Sequence, residues 1–161
     1  MENIIYTPIG TIHSPFECVD GTPIQSTGAK GVKGTITIQE RFAQGLKDLS
    51  DFSHIIILYH FHLSSGCAML VKPFLDDHER GVFSTRAPRR PNPIGISVVR
   101  LTNVDGNTLF IEDVDVINNT PLLDIKPYVP DFDCKDVEKI GWLTKRSRGV
   151  TTARADRRFE E

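Results

Sequence analysis

Three stretches of the chain carry residue types that do chemistry. The first is Ser84-Thr85-Arg86-Ala87-Pro88-Arg89-Arg90-Pro91-Asn92-Pro93-Ile94-Gly95-Ile96-Ser97. Its three prolines fall within six residues, fix φ, remove backbone donors and hold the residue before each one extended, so the stretch is a rigid path into a strand. Three arginines ride on it, and guanidinium is the preferred donor to carboxylate and phosphate. Gly95 permits close approach of a ligand to the backbone. Two readings stand here, a binding loop or a tight crossover with solvated arginines. The second stretch is Asn118-Asn119-Thr120-Pro121-Leu122-Leu123-Asp124-Ile125-Lys126-Pro127-Tyr128. If it is extended, a period of two puts Asp124, Lys126 and Tyr128 on one face, which is either a site offering carboxylate, ammonium and phenol or an ion pair with a tyrosine beside it. The third is the group His54, His60 and His62. His60 and His62 share a strand face, yet the spacing supplies no third metal ligand, so no metal is expected and His62 is read as lining a pocket.

A chain of 161 residues and 18.0 kDa is the size of one domain, and 39% hydrophobic with 25% charged residues is an ordinary globular composition. Folding at this size buries well over half of the unfolded surface, so a core needs neither disulfides nor a structural metal, and a disulfide-stapled miniprotein is excluded. No apolar run approaches the ~20 residues of a membrane span, and residues 1–15 lack the basic region and apolar core of a secretory signal. The expected compartment is the cytoplasm, with no membrane partner. Cys18, Cys67 and Cys134 leave one thiol unpaired in any pairing and form no CxxC, so reduced thiols are expected. Net charge is -2, but residues 145–161 hold six basic and three acidic residues, which leaves 13 basic and 18 acidic upstream, or -5. The chain therefore reads as one domain over residues 1–144 followed by a basic tail over residues 145–161. A second basic cluster, Arg80, Arg86, Arg89 and Arg90, surrounds the proline-rich loop, so local charge permits a nucleic-acid partner that overall charge does not suggest.

The elements that must position these residues are mostly strands. Residues 4–13 begin as one, 32–39 alternate Val32, Gly34, Ile36 and Ile38 against Lys33, Thr35 and Thr37, and β character returns over 82–84, 94–104 and 109–116. The run Ile55, Ile56, Ile57, Leu58, Tyr59 and Phe61 predicts a central strand over 54–63, buried on both faces. Asp105-Gly106 predicts a type I′ hairpin turn. Phe42, Leu46 and Leu49 at helical spacing predict a short helix over 40–49, with a second short piece near 136–142. Such a chain is a mostly β, single-domain, closed or partly closed β-barrel with one or two short helices, since closure removes exposed edges. A doubly wound sheet is disfavoured, because it needs alternating strands and helices and its GxGxxG turn is absent.

The proline-rich loop over 85–97 and the motif over 120–128 resemble the two signature motifs of the TsaA-like family of S-adenosylmethionine-dependent tRNA (adenosine-37 N6)-methyltransferases. Ile9-Gly10-Thr11-Ile12-His13-Ser14-Pro15-Phe16 and the segment 45–54 are similar to it as well, so the resemblance runs over residues 6–130. It implies a β-barrel methyltransferase that acts as a homodimer, binds S-adenosylmethionine near the subunit interface and modifies threonylcarbamoyl-adenosine 37 in the anticodon loop of threonine tRNA. It implies cofactor contacts at Gln25, Ser26 and Thr27 in an early loop, at Phe61 and His62, at Arg86 and Ile96, and at Thr120, Pro121, Leu122 and Leu123. Arg86 is then expected to face the cofactor and Arg89 and Arg90 the RNA, with Pro91 holding Arg90 extended and outward. Asp124 or His62 would accept the proton lost from the adenine amino nitrogen. Asn118-Asn119 stand where the family has Asp-Gly, and asparagine tolerates left-handed backbone, so the turn is expected to survive without the carboxylate. The competing classes are a non-catalytic S-adenosylmethionine- or nucleotide-binding sensor and a metal-dependent hydrolase built on His54, His60 and His62.

Overall fold

Eight strands alternate with short turns of helix in the computed structural model of the chain, which describes residues 3–145, 149 and 151–159. They are β1 (Gly10–His13), β2 (Lys33–Ile38), β3 (His54–His60), β4 (Leu70–Val71), β5 (Arg80–Gly81), β6 (Ile94–Asp105), β7 (Thr108–Glu112) and β8 (Thr120–Pro127). Six of them close into an antiparallel barrel in the order β1-β2-β7-β6-β3-β8, while β4 and β5 pair separately within the long connection from β3 to β6. Alternation drives the closure. In β6 Gly95, Ser97, Val99 and Leu101 are buried while their neighbours face outward, and the same period in the other strands fills the interior with Ile12, Ile36, Ile38, Ile55, Ile57, Leu109, Ile111 and Leu122. β-branched side chains suit this pleated, one-sided surface.

β3 obeys the same rule and departs from the expectation of burial on both faces. Ile55, Ile57 and Tyr59 are buried, whereas Ile56, Leu58 and His60 are only half-buried, because a barrel has one interior. It is flanked by β6 and β8 as any strand of a closed sheet is flanked, so there is no central strand. The expected helix over 40–49 is instead two 3-10 segments, Glu40–Leu46 and Leu49–Asp51, separated by Asp48 at φ 66°, and Phe42, Leu46 and Leu49 pack against the barrel core. Residues 82–84 form a 3-10 turn rather than a strand, and the late helical pieces are α1 (Pro130–Asp133) and the 3-10 segment Gly141–Lys145 rather than 136–142. The β6–β7 hairpin has a two-residue loop in which only Gly106 takes positive φ, the II′ pattern rather than I′. Asn107 is held to β2 on both sides, its Nδ2 donating to the Ile38 carbonyl and its own carbonyl accepting the Ile38 N–H, each at 2.7–2.8 Å.

Two local features decide which residues face the interior at the end of β8. Register shifts between Leu58 and Tyr59 of β3, which oppose Asp124 and Leu122, so Leu123 is an extra residue. That bulge inverts the parity of the strand: Leu122 points inward, then Ile125 packs on the core, and Asp124 and Lys126 turn outward. Asn119 takes φ 62°, so the turn before Thr120 does survive without glycine.

The described part of the basic tail folds back on the body. Ala155 N–H donates to the Thr22 carbonyl at 2.8 Å and its carbonyl accepts from Gly21 at 2.9 Å. Phe159 packs edge-on against Phe74 with ring centres 5.0 Å apart and shares a small buried cluster with Val71, Val82 and Ala87. Arg146 and Arg148, two of the basic residues on which the tail reading rests, lie outside the described residues.

Candidate active site

The strand registers put the ends of β1, β3 and β7 beside the starts of β2, β6 and β8, as His13 opposite Thr35, Glu112 opposite Lys33 and His60 opposite Ile94 show. At this end the early loop, the proline-rich loop, the β7–β8 turn and the returning tail converge on a cleft of about 240 Å³. Gln25, Phe61, His62, Arg86, Ile96 and Thr120, all expected at a cofactor site, line it together. Thr27 lines a neighbouring groove, which shares Gln25 and Arg86 with the cleft. Ser26 belongs to the same 3-10 turn and lines neither. Pro121 and Leu123 line a third, outer depression, and Leu122 is in the barrel core.

Arg86, which lines the cleft, is held by donating Nη1 to Gln25 Oε1 at 2.6 Å, and its other guanidinium donors are not taken up by that bond. His62 is fixed from the opposite side. Thr120 Oγ1 gives its proton to the Ile117 carbonyl at 2.7 Å, so His62 Nδ1, 3.2 Å from that oxygen, must be the donor and Nε2 carries the lone pair. Burial, then the neighbouring His60, lowers the pKa of His62 and keeps the ring neutral. Arg90 does not project outward as expected. Its Nη1 donates to the carbonyls of Thr85 and Ala87 at 3.1 and 3.3 Å, tying its own loop together at the rim of the cleft. Arg89 diverges from it into a separate basic depression with Lys72 and Arg158, where Lys72 pairs with Asp77, Arg158 with Asp156, and Arg89 Nε is buried with no hydrogen-bond partner.

Asp124 lies away from the cleft, its carboxylate 2.8 Å from Lys126 Nζ on the outer face, and Tyr128 contacts Cys134 at 3.1 Å instead of joining them. The carboxylate that does line the cleft is Asp115, which the sequence reading missed. Its Oδ1 accepts the Ser97 hydroxyl at 2.6 Å, and Ser97 Oγ is 3.1 Å from the Tyr59 phenol. With the serine proton committed to Asp115, the phenol is the donor in the second bond, and a relay Tyr59–Ser97–Asp115 runs from the barrel interior to the cleft floor. Burial pushes the Asp115 carboxyl up to about 6, against the opposing pull of the Ser97 bond and of Arg86. Burial and the Asp115 charge together raise the phenol as well. Gly95 is explained here too. It lies opposite Tyr59 across β3 and β6, where a methyl group at 95 would overlap the Tyr59 ring, and Gly95 also lines the cleft. Among the described residues no three His, Cys, Asp or Glu side chains converge as metal ligands, and Cys18, Cys67 and Cys134 are free and exposed.

The sequence profile described as the tRNA-methyltransferase O N-terminal domain matches residues 11–134, which include every wall of the cleft except the returning tail. This chain belongs to that family. Family members of several kinds align with it. A "Probable S-adenosyl-L-methionine-binding protein" of Pyrococcus abyssi is 53% identical over 156 residues, covering 97% of this chain and 85% of that protein. The human "tRNA (adenine(37)-N6)-methyltransferase" is 36% identical over 138 residues, 81% of this chain and 31% of the human one. The crystal structure of TrmO from Pseudomonas aeruginosa superposes with a TM-score of 0.74 at 35% identity, over 88% of this chain and 63% of the other. The chain thus spans less than two thirds of the solved structure and about a third of the human enzyme.

Proposed function

We propose that this protein is an S-adenosylmethionine-dependent tRNA methyltransferase that transfers a methyl group to N6 of adenosine 37, with threonylcarbamoyl-adenosine as the form of that nucleoside it acts on. The observation that carries this reading is the convergence of six residues expected at the cofactor, Gln25, Phe61, His62, Arg86, Ile96 and Thr120, on one cleft of a barrel whose family includes an enzyme of that name. The cleft suits the cofactor by its donor set. Arg86 offers a bidentate fork for a carboxylate, and the rings of Phe61 and Phe74 and the side chain of Ile96 offer apolar walls for a purine. Ser26, Thr27, Pro121, Leu122 and Leu123 support these contacts from behind or from the outer side.

When bound, S-adenosylmethionine supplies a methyl group already activated on a sulfonium, so the protein has to orient, exclude water and manage a proton. The rigid proline-rich loop does the first by holding Arg86 and Ile96 at fixed positions. The buried Tyr59, Val116 and Phe159 exclude water from the inner wall. Of the two proton acceptors named from sequence, His62 has its free Nε2 in the cleft, whereas Asp124 is paired to Lys126 outside it. The RNA is met by Arg90 at the rim of the cleft and Arg89 in its neighbouring depression, and the chain works as a homodimer in the cytoplasm, apolar Ile4, Ile5, Tyr6 and Ile94 being exposed beside the outer depression.

Calorimetry with S-adenosylmethionine tests the cofactor half of this reading. Arg86→Ala removes a charge-assisted contact worth roughly 1.5–3 kcal/mol, so it should weaken binding by about 10- to 100-fold. Unchanged affinity in the folded variant would contradict the placement of the cofactor in this cleft. A non-catalytic sensor would bind the cofactor equally well and leave tRNA unmethylated.

A further inference from the structure

We propose that Asp115 is the proton acceptor of the methyl transfer, held for that role by Ser97 and Tyr59. This rests on the methyltransferase reading above and deepens it. Among the described residues Asp115 is the one carboxylate lining the cleft, and it is half-buried there between core and opening: Val114 and Val116 on either side of it are buried, and Ser97 and Tyr59 beside it are 5% and 6% exposed. A charge kept at such a place costs folding stability, and strained or costly groups concentrate at working sites. The relay fixes one of its oxygens. Oδ1 accepts the Ser97 hydroxyl, the backbone N–H of Asp115 also bonds the carboxylate, and the residue lines the cleft.

The chemistry needs such a group. The N6 lone pair of threonylcarbamoyl-adenosine is delocalised into the ring and into the carbamoyl carbonyl, so the nitrogen is a poor nucleophile and, once methylated with its proton still in place, is strongly acidic. As the methyl is transferred its bond to sulfur breaks, the electron pair stays on sulfur as a neutral thioether, and positive charge moves to the nitrogen. Asp115 faces that developing charge, takes the N–H proton on its carboxylate and returns it to water. The charged and titratable groups around Asp115 are Tyr59 from β3, His62 just beyond it, and Arg86 and Arg90 from the proline-rich loop. Burial makes the carboxylate a stronger base than an ordinary aspartate, while the Ser97 hydrogen bond and, to a lesser degree, Arg86 favour its ionised form. Burial, then the neighbouring His60, makes His62 less basic than an ordinary imidazole.

The test measures wild type, Asp115→Asn, Ser97→Ala and His62→Gln for S-adenosylmethionine affinity by calorimetry and for single-turnover methylation of tRNA between pH 5 and 9. The wild-type rate tests the reading on which the proposal rests, and the ratios between variants test the proposal. Asp115→Asn keeps the shape and can still accept the Ser97 hydrogen bond, so it should bind the cofactor within about threefold of wild type, lose roughly 100-fold or more in rate, and lose the acidic limb that wild type shows near pH 6. Ser97→Ala removes a bond that favours the charged form, so the limb should move to higher pH with most of the maximal rate kept. The proposal is overturned if Asp115→Asn loses cofactor affinity in step with rate, which would make Asp115 an anchor for the cofactor's cation, or if the acidic limb persists in Asp115→Asn and disappears in His62→Gln.

Discussion

Asp115 shows why some functional residues are invisible in a sequence. In Glu112-Asp113-Val114-Asp115-Val116 the alternation of acids and valines reads as a half-buried strand with its acids in water, and nothing in the spacing separates Asp115 from Asp113. The fold separates them: Asp113 takes φ 67° and caps Gly31 N–H, while Asp115 meets the Ser97 hydroxyl. Arg86 and His62 were legible because a rigid loop and a strand end are places where a polar side chain has few other partners. The raised Asp115 carboxyl makes a stability prediction independent of activity. Its ionised form is disfavoured in the fold, so the penalty is fully present above pH ~6 and vanishes as pH falls below the unfolded value near 4. Asp115→Asn should therefore be more stable than wild type by about 2 kcal/mol at pH 8, with the gap closing by pH 4, in urea unfolding at the two pH values. A gap that is absent at pH 8, or that widens in acid, would contradict the burial of this charge. Asp76 has the opposite sign. Burial works against its charge, but hydrogen bonds from Arg80, His78 and the backbone of residues 77 and 78 hold its carboxyl below the usual range, so its contribution is present above pH ~4 and is lost on acidification through its lowered value.

Strands were the readable elements, since alternation reports a one-sided surface directly. The β2, β6 and β7 segments fall within a few residues of their expected bounds, and the barrel follows from their number and shortness. The bulge at Leu123 left no trace in the sequence, and it alone moves Asp124 from the side it would share with Leu122 to the outer face. Apolar spacing over 40–49 was real, but the 3-10 geometry was hidden because three apolar contacts can be satisfied by either pitch. The pairing of Tyr59 with Gly95 is a device of β3 and β6 together, in which the ring covers the glycine backbone and places its phenol at Ser97. Gly95→Ala should cost about 1–3 kcal/mol through overpacking, and in Tyr59→Leu the same alanine should cost clearly less, because the ring it meets is gone. Equal costs in the two backgrounds, measured by chemical unfolding, would mean that the ring does not occupy that space.

At the scale of the whole molecule the acidic body and its basic edge divide the labour, with the cleft at one end of the barrel and cationic side chains around its rim. The returning tail belongs to that end, since Ala155 and Phe159 line the cleft although they lie beyond the matched family domain. Composition showed the tail's charge and could not show its docking, which depends on two backbone hydrogen bonds to the early loop. Arg89, in its depression with Lys72 and Arg158, and Arg90 at the rim are the contacts assigned to RNA phosphates. Replacing both with alanine should weaken tRNA binding and make the dependence of log affinity on log salt shallower by about 1.5, with cofactor affinity near wild type, and an unchanged slope would remove them from the RNA interface. Methyl transfer is tested most directly by mass spectrometry of nucleosides from tRNA incubated with the purified protein and methyl-labelled S-adenosylmethionine. One labelled product is expected, an N6-methylated adenosine from position 37, formed only when that adenosine carries the threonylcarbamoyl group. Cofactor binding without any labelled nucleoside would contradict the methyltransferase reading.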